Sequence, residues 1–283
     1  MPADAGGVEF VFRNIHTKRT PLGNILFVHG YRAHGLMHAG FLRGLYREGF
    51  NVFSFDLPNH GKEHIESPRR GCVDAVLYIE AVRAAIARVA ERSRIPVFII
   101  GESLGGATLI NALADGQKFE AVRGIVCIAV PLSVDARIPA VVKPFKSVIL
   151  KFPPLQKMLG NIIVDSAAFP CVRRAGNDGM FEYDPLYFLG PTRLASGMHI
   201  RRIVEGAREN IREFKHANML WFWGTHDDIA PRTMLEHVVA NEGMPPRWRQ
   251  VTLHTDHFLL YGADKEIRKT VLAWALENIF AET

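Results

Sequence analysis

The sequence predicts an α/β fold: a mostly parallel central sheet with helices on both faces and an inserted cap. Three observations carry that expectation. Short apolar runs alternate with helix-compatible stretches along most of the 283 residues. One serine, Ser103, stands where such a run gives way to a helical stretch. Residues 131–191 break the alternation with many prolines and no clean strand–helix unit.

Taken in chain order, strands are expected at 9–13, 24–28, 51–55, 96–100, 124–130, 219–223 and 249–253. Each is a short, largely apolar run, as Asn24-Ile25-Leu26-Phe27-Val28 and Pro96-Val97-Phe98-Ile99-Ile100 illustrate. Between them, helices are expected at 39–47, 74–92, 106–113, 198–214, 232–240 and 264–279. In the longest, Val82, Ala85, Ile86 and Val89 recur at helical spacing and form one apolar stripe. The core is therefore expected to comprise 1–130 and 192–283, with 131–191 as the cap. Within the cap, residues 138–152 mix large apolar side chains, among them Phe145 and Phe152, with Lys143, Lys146 and Lys151. Apolar residues beside snorkelling lysines suit a surface that touches lipid, and equally a helix packed on the core with lysines at its rim.

Composition narrows the classes. Hydrophobic residues make up 48% and charged residues 22%, so the chain can bury a substantial core. No run approaches the roughly 18 apolar residues of a membrane span. The first residues lack a basic segment followed by an apolar one, so no signal peptide is expected. Cys72, Cys127 and Cys171 are widely spaced and odd in number, which favours reduced thiols and a cytoplasmic setting over a disulfide framework or zinc site. The net charge of +5 and pI near 9.2 suit mild attraction to an anionic surface. Basic residues are scattered and no nucleic-acid motif is present, so no nucleic-acid partner is expected.

The chemistry centres on Gly101-Glu102-Ser103-Leu104-Gly105. Gly101 and Gly105 leave the chain free to reverse sharply, so the serine can be held strained with its hydroxyl exposed. A serine hydroxyl needs a base to take its proton and an acid to orient that base. Acidic candidates follow the strand at 219–223, in Gly224-Thr225-His226-Asp227-Asp228. Histidine candidates follow the next, in His254-Thr255-Asp256-His257. His257 lies further past its strand, where a loop can bend back to the serine. Backbone N–H groups of Leu104 and Tyr31 are the expected donors to an oxyanion, with Gly30 permitting close approach. The rival reading of the His–Asp clusters as metal ligands leaves the serine turn unexplained, so no metal and no cofactor are expected.

His29-Gly30, Asp56-Leu57-Pro58-Asn59-His60-Gly61, the stretch from Gly101 to Gly106, Gly224 through Pro231, and Asp256-His257 together resemble the monoacylglycerol lipase and lysophospholipase-like branch of the α/β hydrolases. Asp184-Pro185-Leu186, ahead of Gly190-Pro191, is similar to the end of that branch's cap. The resemblance runs from about Glu9 onward. It implies an α/β-hydrolase fold and a serine esterase with Ser103 as nucleophile, Asp227 as acid and His257 as base. The family's G-x-x-D-x-x-x-P spacing selects Asp227 over Asp228, with Pro231 closing the pattern. The resemblance and the apolar, lysine-flanked cap together favour a lipid monoester substrate, a monoacylglycerol or lysophospholipid, and the cap's composition separately suggests peripheral membrane contact. The chain departs from the family at Glu102, where many members carry histidine, at Asn59, and in the loop Tyr31-Arg32-Ala33-His34. A short-chain carboxylesterase, thioesterase, peptidase or non-catalytic receptor on the same scaffold are the alternatives.

Overall fold

The computed structural model describes residues 12–17, 20–90, 95–114, 120–133, 163–164, 183–240 and 243–280. Most of the expected cap, including 138–152, lies outside the described residues, as do Cys171, positions 9–11 of the first expected strand and 91–92 of the longest expected helix.

The apolar runs form one seven-stranded sheet. Its strands are β1 (Phe12–Ile15), β2 (Asn24–Val28), β3 (Asn51–Phe55), β4 (Val97–Glu102), β5 (Val122–Ile128), β8 (Met219–Gly224) and β9 (Trp248–Leu253). Two further short strands, β6 (Ile163–Val164) and β7 (Thr192–Arg193), pair with each other. In the large sheet the order is β1-β3-β2-β4-β5-β8-β9, parallel throughout except for β1, which runs antiparallel to β3 at the edge.

Helices cover both faces, which is why the central strands are buried at every position and largely apolar rather than apolar at alternate ones. On one face, Leu26, Val28, Ile99, Cys127 and Trp221 pack against α2 (Ala75–Ala90), α3 (Leu104–Leu113) and α4 (Leu194–Asn210). The predicted stripe of Val82, Ala85, Ile86 and Val89 is buried there. On the other face, Ile25, Phe27, Phe98, Ile100 and Phe222 meet Phe41 and Leu45 of α1 (Ala39–Arg47) and Val271 and Trp274 of α7 (Asp264–Phe280). The remaining α-helices among the described residues are α5 (Thr233–Val239) and α6 (Leu259–Gly262).

Boundaries moved by a few residues for local reasons. The helix expected from 106 begins at Leu104, directly after the serine. The one expected from 198 begins at Leu194, because Thr192–Arg193 is held extended by pairing with Ile163–Val164. Its last turn tightens into a 3₁₀ segment at Ile211–Phe214. Neither α6 nor the 3₁₀ turn Lys62–His64 was expected.

The topology places the functional edge. β2 has β3 on one side and β4 on the other, so the connections leaving β2 and β3 diverge to opposite faces. The carboxyl ends of β2 and β4 flank that switch point, the place where open parallel sheets take up ligands. Two glycines let the chain turn there. A Cβ on Gly101 would lie 2.5 Å from the Gly106 Cα, and one on Gly105 would overlap the carbonyl oxygens of Val28 and His29. The first turn of α3 therefore rests directly on the end of β2. Gly197, in α4, has no atom within 4 Å of such a Cβ. Gly105→Ala should lower unfolding stability by about 1–3 kcal/mol through overpacking, whereas Gly197→Ala should raise it by about 0.5–1 kcal/mol. Urea titration of the two variants measures both.

Candidate active site

Ser103 occupies the turn from β4 into α3 with φ 48° and ψ −124°, one of four non-glycine residues of positive φ among those described. Its N–H donates to the Ile128 carbonyl at 2.8 Å, tying the turn to the neighbouring strand, while its own carbonyl accepts from Gly106 and Ala107. Strain at a residue so firmly tied marks a position where geometry matters more than local comfort. The hydroxyl projects from the turn and lies 2.9 Å from His257 Nε2.

His257 and Asp227 come from loops after adjacent strands. Past the ends of β8 and β9, Thr225 N–H still donates to the Leu253 carbonyl and His226 N–H to that of Thr255. A Cβ on Gly224 would lie 2.5 Å from the Asp256 carbonyl oxygen, so only glycine lets the loops run this close. The result sets His257 Nδ1 2.9 Å from Asp227 Oδ2 and 3.1 Å from Oδ1. A carboxylate only accepts, so Nδ1 carries the ring proton and Nε2 is left to accept from Ser103. The Asp227 side chain has no solvent exposure, and that of His257 retains 11%.

Burial alone would push the Asp227 carboxyl up. The hydrogen bond and charge of His257 and the amides of Ala230 and Ile229 outweigh it and hold the group below its ordinary value. Both amides donate to Oδ1 at 2.8 Å. The alternatives within each cluster point elsewhere. Asp228 is exposed, and exposed His254 packs edge-on against His226 with ring centroids 4.7 Å apart. Glu102, beside the serine, is engaged by His38 Nε2 at 2.9 Å in a buried pair.

The loop after β2 carries the candidate oxyanion donor Tyr31, and two buried histidines define its path. His29 Nε2 accepts from Leu57 N–H at 2.8 Å, which leaves Nδ1–H to donate to the Gly30 carbonyl at 2.8 Å. In a trans peptide the N–H points opposite the carbonyl, so the Tyr31 N–H is aimed away from His29. A Cβ on Gly30 would lie 3.2 Å from the Ser103 Cβ, so this turn abuts the serine. The next peptide is held by His60, whose Nε2 accepts from Arg32 N–H at 3.2 Å while Nδ1 faces the Pro58 carbonyl and Tyr78 hydroxyl. Asp56 Oδ1 accepts from Gly35 N–H at 2.7 Å further along. Leu104, the other candidate donor, opens α3, where an N–H has no partner within its own helix. His29 and His60 belong to the motifs read from sequence, but their loop-holding role had no signal there beyond proximity to glycine.

Both histidines must be neutral to accept those amides. Burial, reinforced by His60, holds His29 down to about 3 against the opposing pull of Asp56 and the Gly30 carbonyl. Burial likewise holds His60 down to about 4.

Comparison with known proteins gives the chain's family and fold. The family profile described as Hydrolase_4, serine aminopeptidase S33, matches residues 19–258. The structure is similar to that of Paleococcus ferrophilus monoacylglycerol lipase, at 21% identity and TM-score 0.75, covering 96% of this chain and 100% of the other. It is also similar to a highly thermostable carboxyl esterase from Bacillus coagulans in complex with glycerol, at 14% identity and TM-score 0.70, covering 97% of each chain. A soluble variant of Saccharomyces cerevisiae monoglyceride lipase matches at 14% identity and TM-score 0.65, over 96% of this chain and 92% of the other. These likenesses establish the α/β-hydrolase fold. No curated protein sequence matches the chain significantly.

The two histidines set a pH response. Their folded pKa values lie below the ordinary 6.5, so the unfolded chain takes up protons that the folded one refuses. Their contribution to stability is complete above pH 6.5 and is lost as pH falls toward 4 and 3. Denaturant midpoints measured from pH 7.5 to 4.5 should decline steadily below about pH 6.5, and His60→Gln should flatten that decline.

Proposed function

Since the chain belongs to the serine aminopeptidase S33 family of hydrolases, we propose that it cleaves carboxylic esters through an acyl-enzyme, with a lipid monoester, a monoacylglycerol or lysophospholipid, as substrate. The reading rests on one observation, the unbroken hydrogen-bonded line from Ser103 Oγ through His257 to buried, ionised Asp227.

In this mechanism Ser103 Oγ attacks the ester carbonyl as His257 Nε2 takes its proton. Asp227 keeps Nδ1 protonated and stabilises the imidazolium that forms. The carbonyl oxygen, now anionic, is received by the N–H groups of Tyr31 and Leu104. His257 then passes the proton to the leaving alcohol, and the acyl group remains on Ser103. A water deprotonated by the same imidazole attacks the acyl carbonyl, and Ser103 leaves with the proton returned. Every transfer uses side chains of this chain, so no cofactor or metal enters the scheme.

The lipid part of the proposal draws on the likeness to two monoacylglycerol-type lipases and on the lysine-flanked apolar run at 138–152. It takes the protein to be cytoplasmic, touching a membrane surface through the segment 131–191. Among the described residues no helix is long and apolar enough to cross a membrane. The description of the family itself favours a second reading, removal of N-terminal amino acids from peptides. Turnover of aminoacyl p-nitroanilides exceeding that of acyl glycerols would select it, whereas a medium- or long-chain optimum on acyl esters supports the lipid reading.

Ser103→Ala should abolish turnover of a p-nitrophenyl acyl ester with the fold intact by circular dichroism, and retained turnover would reject the mechanism. Asp227→Asn should lower kcat by about 10³- to 10⁴-fold with KM little changed, since an amide no longer enforces the productive tautomer.

A further inference from the structure

We infer that Arg32 is a positioning residue for the oxyanion donor, tying the loop that carries Tyr31 to the segment 183–193 on the far side of the site. The inference rests on the esterase reading above and adds a residue that reading does not use. Arg32 is 2% exposed, and its backbone is strained at φ 68° immediately after Tyr31.

Among the described residues its guanidinium forms no ion pair. Nη1 donates to the Phe188 carbonyl at 3.3 Å and Nη2 to Thr192 Oγ1 at 3.1 Å, while Nε is buried without a partner. The nearby carboxylate of Asp184 is engaged by His34 Nε2 at 2.7 Å and by Leu186 N–H. Burying a cation against neutral oxygens alone is costly, and so is positive φ at a non-glycine residue. Both costs fall on one residue, the neighbour of the candidate donor.

The contacts of Arg32 explain what those costs secure. On the sheet side, its N–H is fixed by His60 Nε2. On the opposite side, its carbonyl accepts from Phe188 N–H at 2.9 Å, and its fork spans Phe188 and Thr192. Tyr31 and Phe188 flank the guanidinium, with ring centroids 5.4 and 5.7 Å from its central carbon. Tyr31 joins the same tie through its hydroxyl, 3.2 Å from Thr192 Oγ1. The His34–Asp184 bond closes the loop onto the segment a second time. The two peptides that flank Tyr31 are thus clamped between the histidines of the sheet edge and the residues of 183–193. A lysine would not reproduce this geometry, because its single nitrogen would have to serve both acceptors from one point, whereas the planar fork presents a separate nitrogen to each.

The test compares wild type, Arg32→Met and Thr192→Val, with active sites counted by titration to completion with a fluorophosphonate. Read out are kcat per titrated site, KM for a p-nitrophenyl acyl ester, and Ki for an acyl trifluoromethyl ketone, whose adduct carries an oxyanion. Arg32→Met should lose about 10- to 100-fold in kcat and Thr192→Val about fivefold. KM should stay within about twofold, and Ki should weaken in step with kcat/KM. Wild-type kcat and Ki per titrated site in the variants, with only thermal stability or titratable fraction reduced, would overturn the inference. Should Arg32→Met not fold, Thr192→Val decides on the same criteria. Wild-type protein that the fluorophosphonate does not label would instead sink the esterase reading itself, so the two failures are distinguishable.

Discussion

The backbone of Ser103, held at φ 48° and ψ −124° between β4 and α3, is the constraint from which the rest of the site follows. A serine in that conformation lifts its hydroxyl clear of the sheet edge, and nothing local favours it. What makes it tolerable is the absence of side chains at Gly101, Gly105 and Gly106. There the turn meets itself, the end of β2 and the side chain of Val130 at distances no Cβ could enter. Because α3 must rest on β2, the loop leaving β2 is brought against the serine in the same step. Candidate nucleophile and candidate oxyanion donor are consequences of one close packing.

The other half of the site obeys a similar rule on the far side of β5. Loops after β8 and β9 remain hydrogen-bonded beyond the strands and approach each other at Gly224, which carries Asp227 and His257 into contact. Electrostatics then separates titratable groups that a sequence presents alike. Asp227 stays ionised in a dry place because two amides and an imidazole reward its charge. His29 and His60 stay neutral because burial penalises theirs, and neutrality lets them accept backbone N–H groups. Four buried histidines, His29, His34, His38 and His60, thus hold loops or carboxylates in place, and the partly exposed His257 faces the serine.

Much of the fold was legible because both-face burial writes itself as continuous apolar runs. The strands at Asn24–Val28 and Asn51–Phe55 begin and end where those runs do. Helix starts were less legible, since Leu194 follows an extended pair with Ile163–Val164, a contact thirty residues away in the chain. Within the site, the serine turn could be read from its glycines, and the acid and histidine clusters from their place after the last two strands. Choosing Asp227 over Asp228 took the family's spacing, because one residue of shift decides whether a side chain faces the histidine or solvent, whereas His257 could be preferred over His254 from its place further past the strand. The contacts of Arg32 and the pairing of His34 with Asp184 carried no local signal, as their partners lie about 150 residues away along the chain. Pairings of that kind are set by topology, not by pattern.

In the proposed mechanism the Ser103 hydroxyl, activated by His257 and Asp227, takes the acyl group from the substrate. Rapid acid quenching of the enzyme during turnover of an acyl ester, followed by peptide mass mapping, tests it directly. The peptide bearing Ser103 should gain the mass of the acyl chain within the first turnover. Hydrolysis that proceeds with no acylated peptide, or with acylation only at another residue, would contradict it.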